Sequence, residues 1–362
     1  MTNPVLSYTK MVRLLYAALQ QREILLATPG KRQQYWVRSM LSTMFNAWWP
    51  FTGPWHELPQ PIQDHQRLGR KAGNFASHCF TGAARPLRYK LFIPDRNNGR
   101  PRPLIVMLHG GGQDAEDFAL GTRMNAIAAA SGCMVLYPEQ SSHANWSRCW
   151  NWFDAAHHQR GQGEAALIAA VTRNVMVNHW VDSTRVYAAG LSAGGAMAVV
   201  LGQTYPDLFA AVGCHSGLPH GIATDQHGAL LAMRDGLRAN LLARTRQPAS
   251  IPTIVFHGDM DSTVHPDNGF AVVRQSFGEH PAGTSHTRPE IAASTHTGEA
   301  GGRNFTRVLY SNATGALVAE HWALHGTGHA WSGGDCHGSH ADPHGPDASK
   351  EMLRFFLRQR LT

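Results

Sequence analysis

The sequence is short of charge. Asp, Glu, Lys and Arg make up 16% of its 362 residues, against about 25% in an ordinary globular chain. Lysine is scarcer still, with five residues beside 27 arginines. Because 43% of the residues are hydrophobic, the low charge excludes a largely disordered chain, which needs the opposite balance. No run of about 18 uninterrupted apolar residues occurs, which argues against a transmembrane helix. The five cysteines, Cys79, Cys133, Cys149, Cys214 and Cys336, show no C-x-x-C spacing, so a zinc knuckle is excluded. Buried free thiols are expected over one or two disulfides.

The formal net charge is +7. The first 70 residues carry eight Lys and Arg against Glu23, Glu57 and Asp64, which leaves the rest nearly neutral. The basic stripe interleaved with aromatics that a nucleic-acid binder needs is missing from that remainder, so nucleic acid is not an expected partner.

The N-terminus lacks the pattern of a cleaved secretion signal. Met1 to Lys10 is polar, Arg13 breaks the apolar stretch from Met11 to Leu19, and no small-residue cleavage site follows. A cytoplasmic location is the expectation, with extracellular or periplasmic export as the alternative. Met11, Leu14, Leu15, Ala18, Leu19, Leu25 and Leu26 recur at helical steps until Pro29-Gly30, and a second apolar stretch runs from Trp36 to Trp49. Residues 1–80 therefore read as a helical extension on a main domain of residues 81–362. Contact with a hydrophobic surface, or between two copies, is the alternative use of these helices.

From Arg85 onward, short β-rich runs alternate with helical patterns. Strands are expected at Leu87–Ile93, Leu104–Leu108, Met134–Tyr137, Arg185–Ala189, Ala210–Cys214, Thr253–His257 and Ala319–Leu324. Helices are expected at Thr122–Ala130, Gly163–His179, Gly194–Tyr205, Asn268–Phe277 and Asp347–Arg360. Continuously apolar runs such as Leu104–Leu108 fit strands buried on both faces, hence a mostly parallel sheet with helices on both sides.

One of these strands runs into Gly190-Leu191-Ser192-Ala193-Gly194-Gly195. G-x-S-x-G between a strand and a helix holds a nucleophilic serine on a tight turn whose glycines let neighbouring chain pass closely. A serine needs a base to take its proton and an acid to orient the base, following in the order Ser, Asp or Glu, His. The run Phe256-His257-Gly258-Asp259-Met260-Asp261-Ser262-Thr263-Val264 offers two carboxylates. Asp261, deeper in the loop and before Val264, is the chosen acid, and Asp259 is expected to brace the turn. After the last strand, Gly328-His329-Ala330-Trp331 supplies the base, His329, whereas His325 is expected to bond locally. Strand Leu104–Leu108 ends in His109-Gly110-Gly111-Gly112-Gln113. Gly111 N–H and Ala193 N–H are therefore assigned to the oxyanion hole.

The chain resembles the poly(3-hydroxybutyrate) depolymerase family of esterases, relatives of feruloyl and acetylxylan esterases. The resemblance rests on Leu108–Gln113, Gly121-Thr122-Arg123-Met124-Asn125, Cys149-Trp150-Asn151-Trp152-Phe153, Gly190–Gly195, His215-Ser216-Gly217, His257–Asp261 and Gly328–Gly334. It implies an α/β hydrolase fold and cofactor-free ester hydrolysis through an acyl-enzyme. The implied substrates are polyesters or oligoesters of hydroxybutyrate type, with small feruloyl or acetyl esters as the alternative.

Gln113, Trp150, Asn151, Trp152 and Trp331 are expected to contact substrate, since aromatics offer apolar area beside a few polar groups. For Trp150 and Trp152 a place in the core is weighed equally. His325, His329, Cys336, His337, His340 and His344 could instead gather a zinc ion. The Gly- and Pro-rich spacing and the absence of H-E-x-x-H speak against a metal, and none is expected. A non-catalytic, granule-binding scaffold is the remaining alternative, opposed by the intact Ser, Asp and His.

Overall fold

The strand Arg102–Leu108 (β3) shows why the sheet forms where it does. Leu104, Val106 and Leu108 enter one apolar core and Ile105 and Met107 the other, so both faces are covered. The computed structural model describes residues 73–83, 85–96, 99–236, 249–278 and 290–362. The helix candidates at Met11–Leu26 and Trp36–Trp49 lie outside them.

Around β3 lie Gly73–Phe80 (β1), Leu87–Pro94 (β2), Met134–Pro138 (β4), Val181–Leu191 (β5), Ala211–His215 (β6), Thr253–Gly258 (β7), Ile291–Ala300 (β8), Arg303–Asn312 (β9) and Leu317–Leu324 (β10). Their order across the sheet is β1-β2-β4-β3-β5-β6-β7-β10-β9-β8. The middle strands from β4 to β10 run parallel, and the two outer strands on each side are antiparallel. Gly163–Asn178 (α3), Ala193–Thr204 (α4) and Asp267–Ser276 (α6) cover one face. Ala115–Thr122 (α1), Met124–Ser131 (α2) and Ala348–Phe356 (α7) cover the other. Gln226–Asp235 (α5) lies in the connection between β6 and β7.

The boundary expected at residue 80 moves. All eight residues of β1 pair with β2, and Phe75 sets its ring edge-on to Tyr137 at 5.6 Å. Residues 73–80 are therefore sheet and not helical extension. The hairpin β8–β9, unmarked in the sequence reading, pairs a largely exposed β8 with a largely half-buried β9 and turns through Gly301-Gly302, both at positive φ. That pair of left-handed residues matches the twist of the flanking strands. All five cysteines are free: Cys133 and Cys214 are buried, Cys149 half-buried, and Cys79 and Cys336 exposed.

Candidate active site

Strand register brings the functional loops to one edge. Leu108 lies opposite Gly190, Leu191 opposite His215, and Gly258 opposite Leu324. The chain leaving each of these ends reaches, in turn, the glycine-rich loop, Ser192, His215-Ser216, Asp261 and His329, all at the carboxyl ends of parallel strands, where open α/β sheets hold their sites.

Ser192 sits between β5 and α4 at φ 55 and ψ −119, a strained conformation costing about 1–3 kcal/mol. Its N–H donates to His215 O at 2.9 Å. A Cβ on Gly190 would come within 2.5 Å of the carbonyl oxygens of Gly194 and Leu108, and one on Gly194 would collide with the Leu108 carbonyl. The two glycines thus let the turn close against the end of β3. Within the glycine-rich loop, Gly110 N–H donates to Gln113 Oε1 at 2.9 Å and Gly112 N–H to Ser147 O at 2.7 Å. Gly111 N–H and Ala193 N–H, the latter at the start of α4, make no hydrogen bond to the described residues. Two unspent donors beside a helix N-terminus can receive an oxyanion.

Asp261 and His329 are in contact, with Nδ1 to Oδ2 at 2.7 Å. The other carboxylate oxygen accepts from Thr263 N–H at 2.9 Å and Val264 N–H at 2.8 Å. Burial alone would raise the Asp261 carboxyl, but hydrogen bonds from His257, His329 and Val264 N–H hold it well below the usual carboxylate range. Asp259 braces the neighbouring turn: it accepts from Gly326 N–H at 2.8 Å and pairs with His325 at 2.9 Å.

His109 and His215 also stand at this edge, and their sequence positions gave them no role. His109 Nδ1–H donates to Gly110 O at 2.7 Å, and Nε2 accepts from Gln140 N–H at 3.0 Å. Burial pushes its ring down to about 4. His215 takes the Ser192 N–H on its carbonyl and the Ser332 N–H on Nε2 at 3.1 Å, so one residue ties the serine turn to the loop carrying His329. Burial, reinforced by His257 and His329, pushes its ring down to about 3 and preserves that acceptor.

The expected substrate contacts are placed differently. Gln113 is buried and fully spent: besides holding Gly110, its Nε2 donates to Asp117 Oδ2 and Ser339 O, both at 2.9 Å. Trp150, Trp152 and Trp331 are core residues. Trp331 stacks on His215 at 5.2 Å and donates to Ser349 Oγ at 3.1 Å. Asn151 bonds Glu164 through its backbone N–H and its Nδ2, each at 2.8 Å, and its Oδ1 accepts from Asn145. Gln113 and Asn151 spend their side-chain amides on protein partners and the three tryptophans are buried, so these five brace the loops behind the site. Trp150 Nε1 is buried without a partner.

Of the six side chains weighed as zinc ligands, His325, His329 and His344 pair with Asp259, Asp261 and Asp342. Only Cys336 and His337 come together, with Asp335, their ligand atoms within 4.8 Å on an exposed loop.

A mixed sheet with a parallel centre, helices on both faces and a serine on a strained strand–helix turn defines an α/β hydrolase. Residues 87–278, just over half of the chain, match the family model described as esterase PHB depolymerase, and the chain belongs to that family. It is 34% identical over 236 residues to poly(3-hydroxyalkanoate) depolymerase C of Paucimonas lemoignei, covering 63% of this chain and 54% of the relative. The chain thus spans about half the length of that depolymerase. It is 30% identical over 200 residues to feruloyl esterase B of Thermothelomyces thermophilus, covering 51% of this chain and 67% of the relative. In structure it resembles the acetyl xylan esterase from Aspergillus awamori, with TM-score 0.53 and 19% identity over 71% of this chain and 94% of the other.

Proposed function

We propose that the chain is a serine carboxylic-ester hydrolase acting on polyesters or oligoesters of poly(3-hydroxybutyrate) type. The observation that carries the reading is the hydrogen-bonded Asp261–His329 pair at the strand edge where Ser192 is strained and the Gly111 and Ala193 N–H groups are unspent. Ser192 Oγ attacks the ester carbonyl while His329 Nε2 takes its proton. Asp261 holds the imidazole by Nδ1 and stabilises the imidazolium, and the two N–H groups receive the oxyanion. His329 then protonates the leaving alcohol, and the acyl-Ser192 ester is hydrolysed by a water that His329 activates. No residue of this scheme requires a cofactor.

A second reading, a carboxylesterase for small feruloyl- or acetyl-type esters, is favoured by one feature: the burial of Trp150, Trp152 and Trp331 removes the aromatic wall expected for a long apolar chain. Hydrolysis of amorphous poly(3-hydroxybutyrate), soluble hydroxybutyrate oligomers and short nitrophenyl and feruloyl esters, with Ser192→Ala as blank, tests both. Release of hydroxybutyrate units is expected, lost by at least about 10³-fold in the variant. Turnover confined to the small esters would establish the second reading, and full activity of Ser192→Ala would overturn both.

A further inference from the structure

His257, the penultimate residue of β7, is buried and takes no part in the scheme above. Its Nε2 lies 2.9 Å from Val264 O and 3.4 Å from Asp261 Oδ2. A carbonyl oxygen only accepts, so Nε2 carries the proton and presents it between that carbonyl and the carboxylate. The opposite ring nitrogen, Nδ1, is buried with no hydrogen-bond partner. Helix α6 closes over that side so tightly that a Cβ on Gly269 would lie 2.8 Å from Nδ1. The ring is thus fixed with one face of its chemistry sealed and the other turned to Asp261.

Resting on the triad reading, we propose that His257 is a positioning residue that acts through Asp261: its Nε2–H draws part of the carboxylate charge away from His329 and so limits how strongly Asp261 stabilises the imidazolium. Oδ2 is the oxygen that matters. It takes the His329 Nδ1–H at 2.7 Å and faces His257 Nε2, while Thr263 and Val264 N–H occupy Oδ1. The other titratable groups around the pair are His215 on β6, which is buried, His321 on β10, whose Nε2 is buried without a partner, and His340 beside His329. His265 and Asp267, where α6 begins, pair with each other at 3.6 Å and are exposed. None of these reaches Asp261 Oδ2 with a hydrogen bond.

The consequence has a sign. Removing the Nε2 donor concentrates charge on Oδ2, strengthens the bond to His329 and favours the imidazolium. The base then needs a higher pH to become neutral.

The test measures kcat/KM against pH for the full chain, His257→Phe and His257→Gln on a soluble nitrophenyl ester, with thermal melts and Ser192→Ala as blank. In His257→Phe the acid limb should move to higher pH, and the rate at neutral pH should fall by about tenfold, the scale of one charge-assisted hydrogen bond. His257→Gln, whose amide nitrogen can stand close to where Nε2 was, should keep the native limb. Should the Phe variant not fold, His257→Asn, which keeps an amide but cannot reach Asp261, takes its place with the same expectation. The downfield proton resonance of the His329–Asp261 bond reads the same change without turnover and should move further downfield in the donor-free variant. A limb and a resonance that stay in place, or move the other way, would overturn the proposal even if melting temperature and rate both fall, since a ring that only fills space does that. Full activity of Ser192→Ala would instead remove the triad reading, so the two failures are separable.

Discussion

Asp261 accepts hydrogen bonds on both oxygens, and the number of donors decides which protonation state it keeps. With Thr263 and Val264 N–H on one oxygen and His329 on the other, the carboxylate is held ionised although its side chain is buried. Asp261→Asn retains the volume but offers His329 an amide, which can fix the wrong tautomer. The expected loss in kcat is about 10⁴-fold at neutral pH, with little change in KM. The same residue makes stability depend on pH. Its folded value is depressed, so its stabilising contribution is present above the unfolded value of about 4 and is lost as pH falls toward the folded one. Urea unfolding at pH 7 and pH 3 should show a smaller acid-induced loss in Asp261→Asn than in the parent chain, and an equal loss would refute this account. Residue type in the sequence indicated this pair because nucleophile, acid and base must occur in a fixed order. It misled for Gln113 and Trp331, since a polar or aromatic side chain near a motif looks the same whether it faces the cleft or braces its back.

Elements succeed or fail on their neighbours. The apolar runs that became β3, β6 and β7 could be read because a strand buried on both faces keeps its middle apolar, with polar residues such as Thr253, His215 and His257 only toward its ends. The strands β1, β8 and β9 could not: β1 and β8 are edge strands with polar residues such as Ser77, Ser294, Thr295 and His296, and in β9, half-buried between β8 and β10, Arg303, Asn304, Thr306 and Arg307 interrupt the apolar residues. Helix α1 was missed for a related reason: its start is signalled by a single capping residue, Asp114, whose carboxylate accepts from Glu116 and Asp117 N–H. The turn from β5 to α4 was legible because its glycines are forced by contact with β3. Gly194→Ala tests that contact. The added methyl would run into the Leu108 carbonyl, and backbone cannot step aside as a flexible side chain can. A destabilisation of about 3 kcal/mol or more is expected in denaturant melts, with loss of ester hydrolysis. A variant that melts and turns over like the parent would mean that the turn does not close on β3 as described.

At the scale of the whole molecule, the sheet separates two apolar cores, and its carboxyl edge collects loops that lie up to 220 residues apart, from His109 to His329. Such a site can form only when the entire run from β3 to β10 is in register, which is why motifs scattered through the sequence predicted one location. The chain divides between Leu68 and Gly69, and β1 follows within a few residues, its backbone paired along its full length to β2. We therefore place the start of the catalytic domain before Gly73, a little earlier than the sequence boundary of 80. A shortened chain, Gly69–Thr362, keeps every described hydrogen bond of the sheet and site. It should hydrolyse a soluble nitrophenyl ester within about threefold of the full chain, because Ser192, Asp261, His329 and the strands that carry them all lie within it and a compact unit can fold alone. Turnover of an amorphous poly(3-hydroxybutyrate) film is the discriminating comparison. If the basic, tryptophan-bearing first 68 residues serve to contact a hydrophobic surface, the shortened chain should lose film hydrolysis and film adsorption while its rate on the soluble ester stays. Equal loss on both substrates, or failure to fold, would instead make those residues part of the catalytic domain and return the boundary to the N-terminus.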